Sequence, residues 1–210
     1  MTPSKEWIKT IVFLFAGVLL ICSLLTGNDA QDLILKWTSI SSSIVILLVL
    51  LFDKVLWKLP IINIVTSRTG HPDISGTWKG TLNYDRDADG QPGSIDMYIS
   101  ISQSFSTIEV RGYVSTSNSH TITARLNSYA ANRLILEYAY RTEPPDGTHD
   151  RNRITDGLAK LTLIGIPVTE LEGSYFTNRN GGTGRMIFTE WNQSKSDSFK
   201  QASSREFSKR

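Results

Sequence analysis

Two charge-free apolar runs near the start of the chain, Thr10–Leu25 (TIVFLFAGVLLICSLL) and Ser43–Phe52 (SIVILLVLLF), constrain the fold more than any other feature. A helix that is apolar on every face needs lipid or a very large core around it, and a chain of 210 residues leaves no room for such a core. The runs therefore predict two transmembrane helices, spanning about 8–25 and about 33–52. From Trp7 to Leu25 the first covers roughly 27 Å at helical rise, close to the hydrocarbon thickness. Lys5 and Lys9 stand where lysines snorkel to headgroups, and Trp37 and Trp57 are placed to form aromatic belts. The connection GNDAQD is short and turn-rich, so an antiparallel hairpin is expected.

Lys5, Lys9, Lys54, Lys58 and Arg68 fall on one side of this hairpin and only Lys36 near the other. The positive-inside rule then places both termini in the cytoplasm. A cleaved signal peptide is the alternative for the first run, but no A-x-A-like site follows Leu25. The cluster Thr38, Ser39, Ser41, Ser42 and Ser43 reads equally well as a helix–helix contact or as polar residues near the interface.

Beyond Asp73 the period changes from helical to alternating. Ile74, Gly76, Trp78, Gly80, Leu82 and Tyr84 interleave with polar residues, the pattern of a half-buried strand. Similar runs recur at about 94–105, 107–116, 119–128, 133–141, 153–163, 169–177 and 183–191. Turn signals such as DADGQPG, SYAAN, EPPDG and NRNGGTG separate most of them. No helical pattern interrupts the series. The predicted fold is thus two N-terminal transmembrane α-helices plus an all-β domain, an eight-stranded up-and-down antiparallel β-barrel of lipocalin-like form, because closure removes exposed edges. A β-sandwich is the rival. The expected organisation is a two-helix anchor at 1–59, a linker at 60–72, the barrel at 73–191 and a disordered tail at 192–210, whose polar, serine-rich composition offers little to bury.

Alternation also predicts the inner wall: Trp78, Leu82 and Tyr84; Ile95, Met97, Ile99 and Ile101; Leu134, Leu136, Tyr138 and Tyr140; Leu171, Gly173, Tyr175 and Thr177. It is apolar toward one end and tyrosine-rich toward the other, which suggests a plugged bottom and a polar mouth.

Several motifs invite a chemical reading. Asp85-Arg86-Asp87-Ala88-Asp89-Gly90, with Asp96 in the twelfth position, matches the start of a calcium loop. Such a loop needs flanking helices and a bidentate Glu, so an acidic hairpin turn is the better reading. Asn178 to Arg185 (NRNGGTGR) reads either as a hairpin turn or as a phosphate cradle with Arg179 and Arg185 as its forks. Arg111, Arg125, Arg141 and Arg153 fall mostly at outward positions. Tyr84, Tyr138, Tyr140 and Tyr175 are suited to stacking on bases or simply to filling the core. With Thr177, Arg179 and Arg185 they make up the expected ligand site.

Catalysis finds little support, and no enzyme is expected. His71, His120 and His149 form no H-x-x-x-H pair, and neither a G-x-S-x-G elbow nor a P-loop is present. No cofactor or metal is expected. Cys22 is the only cysteine, so a disulfide within the chain and a cysteine-built zinc site are excluded. A net charge of +2 is too small for a nucleic-acid polymer as partner.

Asp73-Ile74-Ser75-Gly76-Thr77-Trp78 resembles the G-x-W opening of lipocalins and fatty-acid-binding proteins, whose tryptophan closes the barrel floor. The wider arrangement, two spans followed by a barrel that begins D-I-S-G-x-W, resembles the SMODS-associated two-transmembrane, β-strand-rich effectors of bacterial CBASS antiphage systems. The resemblance implies a receptor for a cyclic nucleotide made by a CD-NTase, with a cyclic dinucleotide as the expected ligand. It further implies a multi-pass protein of the bacterial inner membrane that oligomerises on activation, disrupts the lipid bilayer and kills the infected cell. The alternatives from other classes are a membrane-tethered, lipocalin-like carrier of an apolar ligand and an anchor with no ligand.

Overall fold

A computed structural model describes Gly17 and residues 31–68, 70–85, 91–129, 133–143, 154–178 and 182–210. The chain divides into two compact units, Met1–Trp57 and Lys58–Arg210. In the first, helix α1 runs Gln31–Lys54 and contains the second apolar run. Its charge-free stretch Ser43–Phe52 leaves Ile46, Leu47 and Leu50 exposed. The first expected span lies outside the described residues, Gly17 apart. Among the described residues, no helix is long and apolar enough to cross a membrane.

The second unit opens with helix α2, Pro60–Arg68, where a linker was expected. A proline suits the first helical position because the N–H it lacks would have had no partner there. Eight strands follow: β1 Gly76–Tyr84, β2 Gly93–Gln103, β3 Ile108–Val114, β4 Ser117–Tyr129, β5 Arg133–Glu143, β6 Thr155–Ile164, β7 Glu170–Thr177 and β8 Thr183–Asn192. Each pairs antiparallel with its neighbours, and β1 pairs with β8 to close the barrel. Closure rules out the sandwich. Breaks in register at Lys79/Gly80 and Thr121/Thr123 locally bend the ladder.

The alternation predicts the inside correctly. Trp78, Ile99, Ile101, Leu136, Leu161, Leu171, Met186 and Phe188 form one buried cluster, each side chain contributing about 1.5–3 kcal/mol through burial. The connections β2–β3, β4–β5 and β6–β7 leave at one end, together with the segment entering β1 and the segment leaving β8. This end is sealed. Trp78 is fully buried and donates from Nε1 to the Ile74 carbonyl at 3.0 Å. Trp191 lies against it, centroids 6.5 Å apart, and donates to the Ser75 carbonyl. Gly76 has φ of +121°, and a Cβ there would fall 2.6 Å from Trp191 Nε1, so the glycine of the G-x-W motif leaves room for the second tryptophan. Buried Gln103 completes the floor, accepting from the Ile74 N–H and donating to the Pro72 carbonyl.

Residues 193–210, expected to be disordered, are ordered. Helix α3, Phe199–Ser203, is capped by Ser198, whose side chain accepts from the Gln201 N–H. Phe199 and Phe207 pack on Tyr98, with centroids 5.5 and 5.6 Å away. Tyr113 donates to the Ser196 carbonyl, Ser100 Oγ accepts from the Ser196 N–H, and Thr77 donates to the Ser194 carbonyl. The segment thus covers an aromatic patch on the outside of β2 and β3. The average composition concealed this, because two well-placed phenylalanines supply the apolar area that the serines lack. Arg210 lies over Trp191 at 4.5 Å from the ring centre.

Candidate ligand-binding site

The connections β1–β2, β3–β4, β5–β6 and β7–β8 leave at the other end, and there the inner wall changes character. Tyr138 is buried, whereas Tyr84, Tyr140 and Tyr175 nearer the rim are half-buried. Alternation along β1, β5 and β7 puts all four on the inward set. Tyr138 and Tyr140 lie 5.9 Å apart with planes at 49°. Tyr140 feels Tyr175, and Tyr175 feels Asp85 and Tyr84, so the phenols form a continuous run along the wall.

Glycines set the pose of the outer three rings. Tyr84 stands opposite Gly93 and Gly184, Tyr140 opposite Gly157, and Tyr175 opposite Gly184. A Cβ at Gly93 would fall 2.5 Å from Tyr84 Cζ, one at Gly157 would fall 2.5 Å from Tyr140 Oη, and one at Gly184 would fall 2.6 Å from Tyr175 Cε1. Each ring therefore lies over the bare backbone of a neighbouring strand, close to the wall.

Burial pushes the Tyr175 phenol up to about 12, with Asp85 and Tyr84 adding to the effect. Burial also raises Tyr138 and Tyr140, each aided by a neighbouring tyrosine. All three are neutral hydroxyls at ordinary pH, able to donate and accept. Thr177 closes β7 beside them; its N–H donates to the Gly182 carbonyl at 2.9 Å and its Oγ1 to the Asp156 carbonyl at 3.5 Å. Among the described residues no charged side chain occupies an inward strand position.

The arginines divide differently from the expectation. Arg185 lies between inward Gly184 and Met186, so it points outside, where it pairs with Glu172. It does not join the tyrosines. Arg179 and Arg153 lie outside the described residues, as do Arg86 to Gly90 of the acidic turn. Arg111, Arg125 and Arg141 are outward as expected, paired with Glu109, Glu137 and Asp156. Among the described residues no group of His, Cys, Asp or Glu is arranged to hold a metal ion.

Sequence reasoning missed the glycine partners, although glycines at inward strand positions signal a close approach by a neighbour. It also missed Gln103 and Trp191 in the floor, whose roles depend on where the ends of the barrel meet.

A floor sealed by two tryptophans and an opposite end lined by tyrosines are features of a barrel that takes a small ligand at one end. The model of one family, described as Cap15, cyclic dinucleotide receptor domain, matches residues 69–190, which takes in all of the barrel up to Glu190. The chain belongs to that family, and the resemblance to CBASS effectors noted above is thereby established. No curated protein sequence matches the chain.

Proposed function

We propose that this protein is a non-enzymatic, membrane-anchored effector of antiphage defence whose barrel takes a cyclic dinucleotide at its open rim. The observation that carries the proposal is the run of tyrosines, posed by glycines so that flat bases meet flat rings. Each stacked base contributes about 1–3 kcal/mol. Tyr84, Tyr140 and Tyr175 form the stacking surface, with the buried Tyr138 ring packed beside Tyr140 beneath them, and Thr177 supplies a hydroxyl at its edge. The phosphates call for cationic partners, and Arg179, expected for that role, lies outside the described residues.

Binding favours an assembled form of the chain by differential affinity. Assembly gathers the apolar helices of residues 1–59, which cross the bacterial inner membrane with both termini in the cytoplasm, and the gathered spans disrupt the bilayer and kill the cell. The exposed Ile46, Leu47 and Leu50 of α1 support a lipid setting. One specific observation favours a second reading, a tethered carrier of an apolar ligand: the inner wall has no charge at any described position.

Thermal shift of the full chain in detergent separates the two. Synthetic cyclic dinucleotides should raise the melting temperature, while fatty acids should not. Stabilisation by fatty acids alone would replace the receptor with the carrier.

A further inference from the structure

Helix α2 carries its polarity in reverse. At about 100° per residue, Pro60, Ile61, Ile64, Val65 and Arg68 share one side of it, and Ile62, Asn63, Thr66 and Ser67 share the other. The first side is exposed throughout, with Ile61 82 % accessible, whereas Thr66 and Ser67 on the second are buried. Their hydroxyls find acceptors inside the helix: Thr66 donates to the Asn63 carbonyl at 3.2 Å and Ser67 to Asn63 Oδ1 at 2.9 Å. A helix on a water-facing surface has the opposite arrangement, apolar toward the protein and polar toward solvent.

The residues around this helix fix it to the sealed end of the barrel. Lys58 Nζ donates to Ser75 Oγ at 2.7 Å and lies 3.8 Å from the Asp73 carboxylate. The His71 N–H donates to the Thr66 carbonyl, and its ring stacks on Phe105 in the β2–β3 connection with centroids 4.9 Å apart. Gly70 sits against the start of β5, where an added Cβ would fall 3.5 Å from Leu134 Cδ2. The β6–β7 connection leaves at the same end and carries a second apolar point, Ile166, which is 68 % exposed, with Ile164 beside it.

From this arrangement we infer that the sealed end of the barrel rests on the lipid bilayer, with the exposed side of α2 lying in the headgroup layer and Ile166 as a second point of contact. The inference deepens the proposed function and rests on its lipid anchor. Charge selects the occupant. From Lys54 to Pro72 the chain carries Lys54, Lys58 and Arg68 and no acid, and such flanks suit an interfacial helix on anionic headgroups. A second copy of the same segment would instead set cations against cations.

The tether agrees. Seven residues separate Phe52, the last of the charge-free run, from Pro60. Fully extended, that stretch covers less than about 30 Å, and here it is shorter, because α1 continues to Lys54 and Leu56–Lys58 form a helical turn. The start of α2 is therefore kept beside the surface from which the anchor emerges. With the sealed end on lipid, the tyrosine-lined end faces away from the bilayer, open to a soluble ligand.

Single-cysteine forms of the full chain in a Cys22→Ser background, labelled with an environment-sensitive nitrobenzoxadiazole, test the inference in phosphatidylethanolamine–phosphatidylglycerol vesicles. Ile64→Cys reports on α2, Ile166→Cys on the β6–β7 connection, Thr116→Cys on the β3–β4 connection at the opposite end, and Ile46→Cys on the anchor. All four positions are exposed, so the barrel core is untouched. A nitroxide lipid labelled at headgroup depth should quench Ile64→Cys and Ile166→Cys, whose emission should shift to the blue. One labelled deep in the acyl chain should quench Ile46→Cys, and neither should reach Thr116→Cys. With Ile46→Cys quenched, water-like emission from Ile64→Cys would overturn the contact and leave the anchor standing. Shielding of Ile64→Cys from aqueous iodide and lipid nitroxide alike, or equal quenching at Thr116→Cys, would do the same. Absence of quenching at both Ile46→Cys and Ile64→Cys would remove the anchor and the contact together.

Discussion

Replacing Gly93 or Gly184 by alanine separates the ligand surface from the stability of the barrel, although both glycines lie beside the same tyrosines. At Gly93 an added Cβ would first meet the Tyr84 side chain, its hydroxyl and then Cζ at 2.5 Å and Cε2 at 2.8 Å. A ring at the end of a half-buried side chain can swing away, so the fold should lose less than about 1 kcal/mol. The swung ring no longer lies along the wall, and one stacking surface is lost. At about 1–3 kcal/mol for one base, the dissociation constant should rise roughly 5- to 150-fold. At Gly184 the added Cβ falls on the backbone carbonyl of Asn83 as well as on Tyr175. Backbone cannot swing, so overpacking should cost about 1–3 kcal/mol, or roughly 2–12 °C in melting temperature for a unit of this size. Calorimetric titration with a cyclic dinucleotide and thermal melting without it read the two effects. Unchanged affinity in Gly93→Ala, or equal melting losses in the two variants, would refute the pose of Tyr84 and the stacking argument built on it.

Trp78→Ala should destabilise the barrel by about 3–5 kcal/mol, since the ring is fully buried and its Nε1 holds the Ile74 carbonyl; chemical denaturation of the full chain measures it. Gln103→Leu removes one acceptor and one donor from the floor, and the unmatched Ile74 N–H and Pro72 carbonyl should cost about 1–3 kcal/mol each at most; a denaturation midpoint equal to wild type would contradict the sealed floor. Because burial raises Tyr175 to about 12 from the ordinary 10.0, the unfolded chain ionises first. Its contribution to stability is complete below pH 10, falls as the pH climbs through the interval and is gone above about 12; the phenolate absorbance band followed with pH should show Tyr175 titrating late.

The barrel was legible because alternation carries two messages at once. It names the strands, and it says which residues share a side, so alternation alone assigns Trp78, Ile99, Leu136 and Leu171 to the core. The run of tyrosines was legible for the same reason. Arg185 was misplaced because nearness to a glycine-rich turn says nothing about facing, and one step along a strand reverses it. The segment after Asn192 was misread because the area it buries lies elsewhere in the chain. Tyr98 and Tyr113 are outward residues that are nonetheless buried, with 5 % and 3 % exposure, and a reading of residues 193–210 alone has no access to them.

The seam between β1 and β8 joins the two strands farthest apart in the sequence. During synthesis every other wall contact can form as each hairpin leaves the ribosome, but this one waits for the last strand to emerge. Until then Trp78 lacks Trp191 as its floor partner, and Tyr84 and Tyr175 share no Gly184. A nascent or truncated product would therefore have neither a floor nor a finished rim. If activation is lethal, as proposed above, that order of events would keep incomplete chains deaf to the signal.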